Sequence, residues 1–92
     1  MDEWIDEAAG ALGEVHLSRE EVGGTLRLAR DVARGVERTA APLAAYLAGL
    51  AVGRRAGSGA GRDQAFAEVT ALLRPLIPPP PGEPGDHPAG SG

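Results

Sequence analysis

Apolar residues recur every three or four positions in four separate stretches of this chain, and glycine or proline breaks each stretch from the next. That spacing gathers apolar side chains on one face of a helix, whereas a half-buried strand requires strict alternation. The pattern predicts an all-α fold: a compact bundle of about four short helices over residues 1–77, then a disordered Pro/Gly-rich tail over 78–92.

The first helix is read from MDEWIDEAAGALG, with Asp2 as its expected cap. Glu3, Asp6 and Glu7 sit where the helix dipole favours negative charge, and Trp4, Ile5, Ala8, Ala9 and Leu12 share a face. Gly13 is the expected stop, with Val15 and Leu17 turned inward in the connector. The second helix has the firmest start. Ser18 and Glu21 have the spacing of a capping box, in which each side chain satisfies a free backbone N–H. Its expected core face is Val22, Leu26, Ala29, Ala33 and Val36, widened by Leu28 and Val32. Gly23 and Gly24 weaken the first turn and leave Thr25 as a later start, while Gly35 is expected to close the helix in a left-handed conformation.

Residues 37–41 read as a turn, and Pro42 fits the first position of a third helix. Leu43, Tyr46, Leu47 and Leu50 are its expected core face. Ala45, Gly49 and Gly53 form a second row whose small size lets another helix approach closely, a candidate interface. Trp4 and Tyr46 are expected to anchor the core. After a loop over 56–61, Arg62 or Asp63 opens a fourth helix carrying Phe66, Val69, Leu73 and Leu76, which Pro75 ends or kinks near Arg74. In the tail, the prolines from Pro78 onward favour a short polyproline II stretch.

Reactive groups are scarce. The chain has no cysteine, which removes disulfides, thiolate metal sites and Cys nucleophiles together. His16 stands in a connector and His87 in the tail, so no metal site and no cofactor is expected. The carboxylates Asp2/Glu3 and Asp6/Glu7 read as complements of the helix dipole, not as an acid/base pair. No serine stands beside a base, and the glycines near 57–61 lack the strand and the Gly-Lys-Ser/Thr ending of a phosphate loop. Enzymatic activity is therefore not expected.

Charge narrows the partners. The net charge of −4 disfavours nonspecific binding of nucleic acid or anionic membrane. The acidic N-terminus is unlike a signal peptide and no apolar stretch has the length of a membrane span, so a cytoplasmic location is expected. Arg27, Arg30, Arg34 and Arg38 fall at i, i+3, i+7 and i+11 and form a stripe on the second helix. Guanidinium groups so placed suit a phosphate or nucleotide ligand, although Asp31 and Glu37 lie close enough to neutralise much of the stripe. A helix-turn-helix-like contact of the second and third helices with DNA is the weaker alternative, because the third helix offers no base-reading side chain before Arg54. With only three aromatic residues and no covalent staple, the core is small, and a protein partner or homo-oligomer is the expected source of further stability.

The stretch 28–54, with its Asp31-Val32-Ala33, Val36-Glu37-Arg38, Ala41-Pro42-Leu43 and Leu47-Ala48-Gly49-Leu50 groups, together with the opening MDEWIDEAAGALG, resembles a small uncharacterised helical domain of actinobacteria. The resemblance covers roughly residues 1–75. Such domains occur free-standing or appended to molybdenum cofactor guanylyltransferase-like proteins, which attach GMP to molybdopterin. Where that pattern commonly has His, Pro and Phe, this chain has Arg34, Thr39 and Tyr46. The resemblance implies a non-catalytic accessory or interaction domain near molybdopterin guanine dinucleotide synthesis, with a guanylyltransferase as a partner. It transfers no catalytic residue.

Overall fold

The computed structural model describes residues 1–80. Four helices follow in order: α1 (Asp2–Ala11), α2 (Arg19–Gly35), α3 (Ala40–Gly57) and α4 (Arg62–Leu73), with a single 3₁₀ turn over Arg74–Leu76. No strand occurs among the described residues, so the four-helix, all-α expectation holds. Residues 78–80 have no regular secondary structure, and the rest of the expected tail, His87 included, lies outside the described residues.

Local chemistry sets most of the helix ends. The Ser18 N–H donates to Glu21 Oε1 at 2.8 Å and the Glu21 N–H donates to Ser18 Oγ at 3.0 Å, the reciprocal box read from the sequence. This cap starts α2 at Arg19, ahead of Gly23 and Gly24. Met1, not Asp2, occupies the cap position of α1, which leaves Asp2 in the first turn where its charge meets the dipole. Gly13 (φ 72°) and Gly59 (φ 111°) terminate α1 and α3 in the same way. The N–H of the next residue reaches back five positions, Glu14 to the Ala9 carbonyl at 2.8 Å and Ala60 to the Arg55 carbonyl at 3.2 Å. Helix α3 starts at Ala40, earlier than Pro42 suggested. Pro42 still lies in the first turn, where a missing N–H breaks no intrahelical bond. Pro75 stops α4 at Leu73, as its lack of an N–H requires.

Packing departs from the simple pattern. The core is Leu28 and Val32 of α2, Ala48 of α3 and Val69 of α4, flanked by Ala44, Ala51, Val52, Leu73 and Ile77. The α2 side chains expected only to widen the face are its centre, while Leu26 and Val36 are exposed. On α3 the expected core face is wrong. Ala41 and Ala48 are buried, and Leu43, Tyr46, Leu47 and Leu50 are exposed. An alanine face lets the α3 backbone approach α2 and α4 closely, a distance that leucines and tyrosine would prop open. Trp4 (67% exposed) and Tyr46 (68%) anchor no core, and Val15, Leu17 and Leu76 are exposed as well.

Two glycines of α2 serve this close approach. A Cβ on Gly24 would lie 2.7 Å from Cε2 of Phe66, so the ring of α4 occupies that space. Gly35 is not left-handed, contrary to the expectation. A Cβ there would fall on the Pro78 carbonyl oxygen, where the chain returns across the end of α2.

The more buried of the ion pairs that join distant parts of the sequence links α4 to α2. Arg62, the first residue of α4, donates Nε to Glu21 Oε2 at 2.5 Å and Nη2 to Glu21 Oε1 at 2.8 Å. The same Nη2 donates to the Val15 and His16 carbonyls at 3.3 and 3.4 Å. Glu21 is only 6% exposed, and a carboxylate so placed requires a partner. The Arg62 hydrogen bonds outweigh burial and hold the Glu21 carboxyl below its ordinary value of 4.5, while Glu21 raises the Arg62 guanidinium. A carboxyl with a depressed folded-state pKa stabilises the fold fully above its unfolded value, and that contribution disappears as pH falls through the folded one.

Arg62→Gln is expected to cost about 3 kcal/mol at neutral pH, because it strands a buried carboxylate. Urea titrations of both proteins should show the difference shrinking below pH 4.5. A gap that stays constant to pH 2 would contradict this linkage.

Candidate functional site

The arginine stripe is only partly assembled. Arg27, Arg30 and Arg34 are exposed on α2, but the helix ends at Gly35 and Arg38 falls in the connector to α3. The expected fourth position is lost because Val36 leaves helical geometry. Arg30 Nε lies 3.2 Å from Asp31 Oδ1, and Asp31 Oδ2 receives Arg74 Nη1 at 2.5 Å. The Arg74 hydrogen bond, helped by Arg30, holds Asp31 below its ordinary 3.8. Arg27 and Arg34 form no ion pair among the described residues. Two guanidiniums therefore stay free on a convex helix surface.

The row Ala45, Gly49 and Gly53 faces a groove of about 530 Å³ between α3 and α1. Ile5, Ala8 and Leu12 form the opposite wall, Leu28 lies at its base and Arg62 borders it. A Cβ on Gly49 or Gly53 would meet nothing within 4 Å, so no helix among the described residues rests against these two glycines. Helix α1 stays apart. None of its Cα atoms comes within 8 Å of the Cα atoms of another helix.

The dominant surface feature is apolar. Among the described residues only Leu28, Val32 and Val69 are buried hydrophobics larger than alanine. Thirteen large hydrophobic residues are exposed. Among them are Trp4 on α1, Leu12 at its C-terminal cap, Leu26 on α2, and the row Leu43, Tyr46, Leu47 and Leu50 on α3. On α2, at about 100° per residue, the stripe Val22, Leu26, Ala29 and Ala33 lies roughly 120° from the buried stripe Gly24, Leu28 and Val32. The arginines occupy the remaining third of the helix. Patches of this extent mark contact surfaces, because a partner can remove from water the apolar area that folding of the single chain leaves there.

Among the described residues, no group of three His, Asp or Glu side chains is placed to hold a metal ion, and no helix is long and apolar enough to cross a membrane. The ion pairs of Arg62 and Arg74 escaped sequence reading. Arg62 did carry a signal: a cation at the first position of a helix opposes the macrodipole, and a tertiary carboxylate offsets that cost.

A family model described as Domain of unknown function (DUF6457) matches residues 1–81. No curated protein and no solved structure matches the chain.

The two kinds of helical glycine should respond oppositely to substitution. Gly49→Ala is expected to raise stability by about 0.5–1 kcal/mol, since its methyl enters open space. Gly35→Ala is expected to lower it by about 1–3 kcal/mol by displacing the returning chain at Pro78. Denaturant midpoints of the two variants shifting in the same direction would contradict this reading.

Proposed function

The chain belongs to the DUF6457 family of uncharacterised domains, and from that premise we propose that it is a non-catalytic interaction domain acting beside a molybdenum cofactor guanylyltransferase-like enzyme. The carrying observation is the inverted balance of apolar surface. Thirteen large hydrophobics face outward, and the buried set is mostly alanine. At roughly 2 kcal/mol gained per large side chain removed from water, contact with a partner is the main stabilisation still open to this chain. The resemblance of residues 1–75 to domains appended to such enzymes supplies the class of partner.

The outer stripe of α2 suits that contact. Leu26 is exposed along it and Val36 just beyond its end, with Arg27, Arg30 and Arg34 on one flank. An apolar centre rimmed by arginines matches the general make-up of protein interfaces. Phosphate binding by the same arginines is the lesser reading, favoured only by the two unpaired guanidiniums of Arg27 and Arg34.

Calorimetric titration of the chain into a purified molybdenum cofactor guanylyltransferase from the same organism tests the proposal. Binding in the micromolar range is expected, with a loss of at least about tenfold in Leu26→Asp. Absence of heat at the highest soluble concentration, with GTP and without it, would dispose of the proposed partner.

A further inference from the structure

We propose that the outer face of α3 is covered by α1 of a second copy of this chain, and that the exchange is reciprocal, giving a two-fold symmetric dimer. This inference deepens the interaction-domain reading by naming one occupant for one of its bare surfaces, and it rests on that reading.

Both halves of the contact are uncovered in the single chain. On α3, Leu43 (66% exposed), Tyr46, Leu47 (63%) and Leu50 look outward; on α1, Trp4 and Leu12 do the same. Helix α1 has no close helical neighbour to hold its apolar edge. The two runs match in length. At 1.5 Å per residue, Trp4 to Leu12 spans about 12 Å and Leu43 to Leu50 about 10.5 Å.

Charge fixes the direction. Helix α1 carries Asp2, Glu3, Asp6 and Glu7 and no basic side chain, whereas α3 carries Arg54 and Arg55 in its last turn and no acidic one. An antiparallel arrangement lays the acidic end of α1 against the arginine end of α3 and opposes the two macrodipoles. Arg55 is already 3.6 Å from Glu68 of α4, but Arg54 and Glu3 form no ion pair among the described residues. The apolar area is of the right order. The six named side chains expose roughly 700 Å² per copy, against about 800 Å² per partner in a standard stable interface. Each copy offers one α1 and one α3, so the contact made twice closes and leaves no open end.

Sedimentation of the full chain decides the question, with fluorescence of Trp4, the single tryptophan, as a second readout. A mass twice the 9.4 kDa of the chain is expected, with Trp4 emission moving to longer wavelength on dilution. Leu47→Arg is expected to give a monomer with long-wavelength emission at every concentration, its helical circular dichroism showing that it folds. Arg54→Glu, which sets a carboxylate against the acidic end of α1, is expected to raise the dimer dissociation constant about tenfold. A wild-type monomer at the highest soluble concentration would overturn the proposal, as would a dimer that Arg54→Glu does not weaken. A monomer that still binds the guanylyltransferase through Leu26 would remove the dimer and leave the interaction reading standing.

Discussion

The pairing of Arg62 with Glu21 is the constraint around which the helices are arranged. Glu21 caps α2 through Ser18, and its carboxylate also receives two hydrogen bonds from Arg62 of α4. The same guanidinium reaches the Val15 and His16 carbonyls in the connector from α1. One side chain thus ties together the starts of α2 and α4 and the approach to α2. Its position at the positive end of a helix is unfavourable until the carboxylate is in place, so the pair forms with the tertiary fold and not before it.

Around that joint the helices close through small side chains. Alanines on the inner face of α3 and Gly24 beneath the Phe66 ring bring backbones near one another. Close approach of this kind gains dispersion contacts and leaves little room for large apolar groups inside. Leucine, tryptophan and tyrosine are pushed to the outside as a result. The proposed role as an interaction domain follows from that displacement: the inside is already filled, so the remaining hydrophobic stabilisation lies on the surface.

Much of the local structure was legible in the sequence. The Ser18/Glu21 box, the stop at Gly13 and the break at Pro75 are contacts within a few residues of one another, so residue type and spacing suffice to specify them. The candidate site was less legible. Arg27, Arg30 and Arg34 do share a face of α2, but Arg38 does not, because the helix ends at Gly35 and Arg38 lies in the connector beyond it. Ala45, Gly49 and Gly53, whose small size suits a neighbouring helix, stand on the open wall of a groove.

Sequence by itself determined that this chain is helical, roughly where its helices start and stop, and how scarce its reactive side chains are, since each depends on short-range hydrogen bonding or on composition. Tertiary structure alone decided which face of each helix lies inside. Helices α2 and α3 each carry two apolar faces, and hydrophobicity does not choose between them. On α3 the choice falls to how closely backbones can approach, which favours alanine over leucine and tyrosine; on α2 it falls to Gly24, whose open side admits the Phe66 ring on the face of Leu28 and Val32, and both depend on residues far apart in the chain.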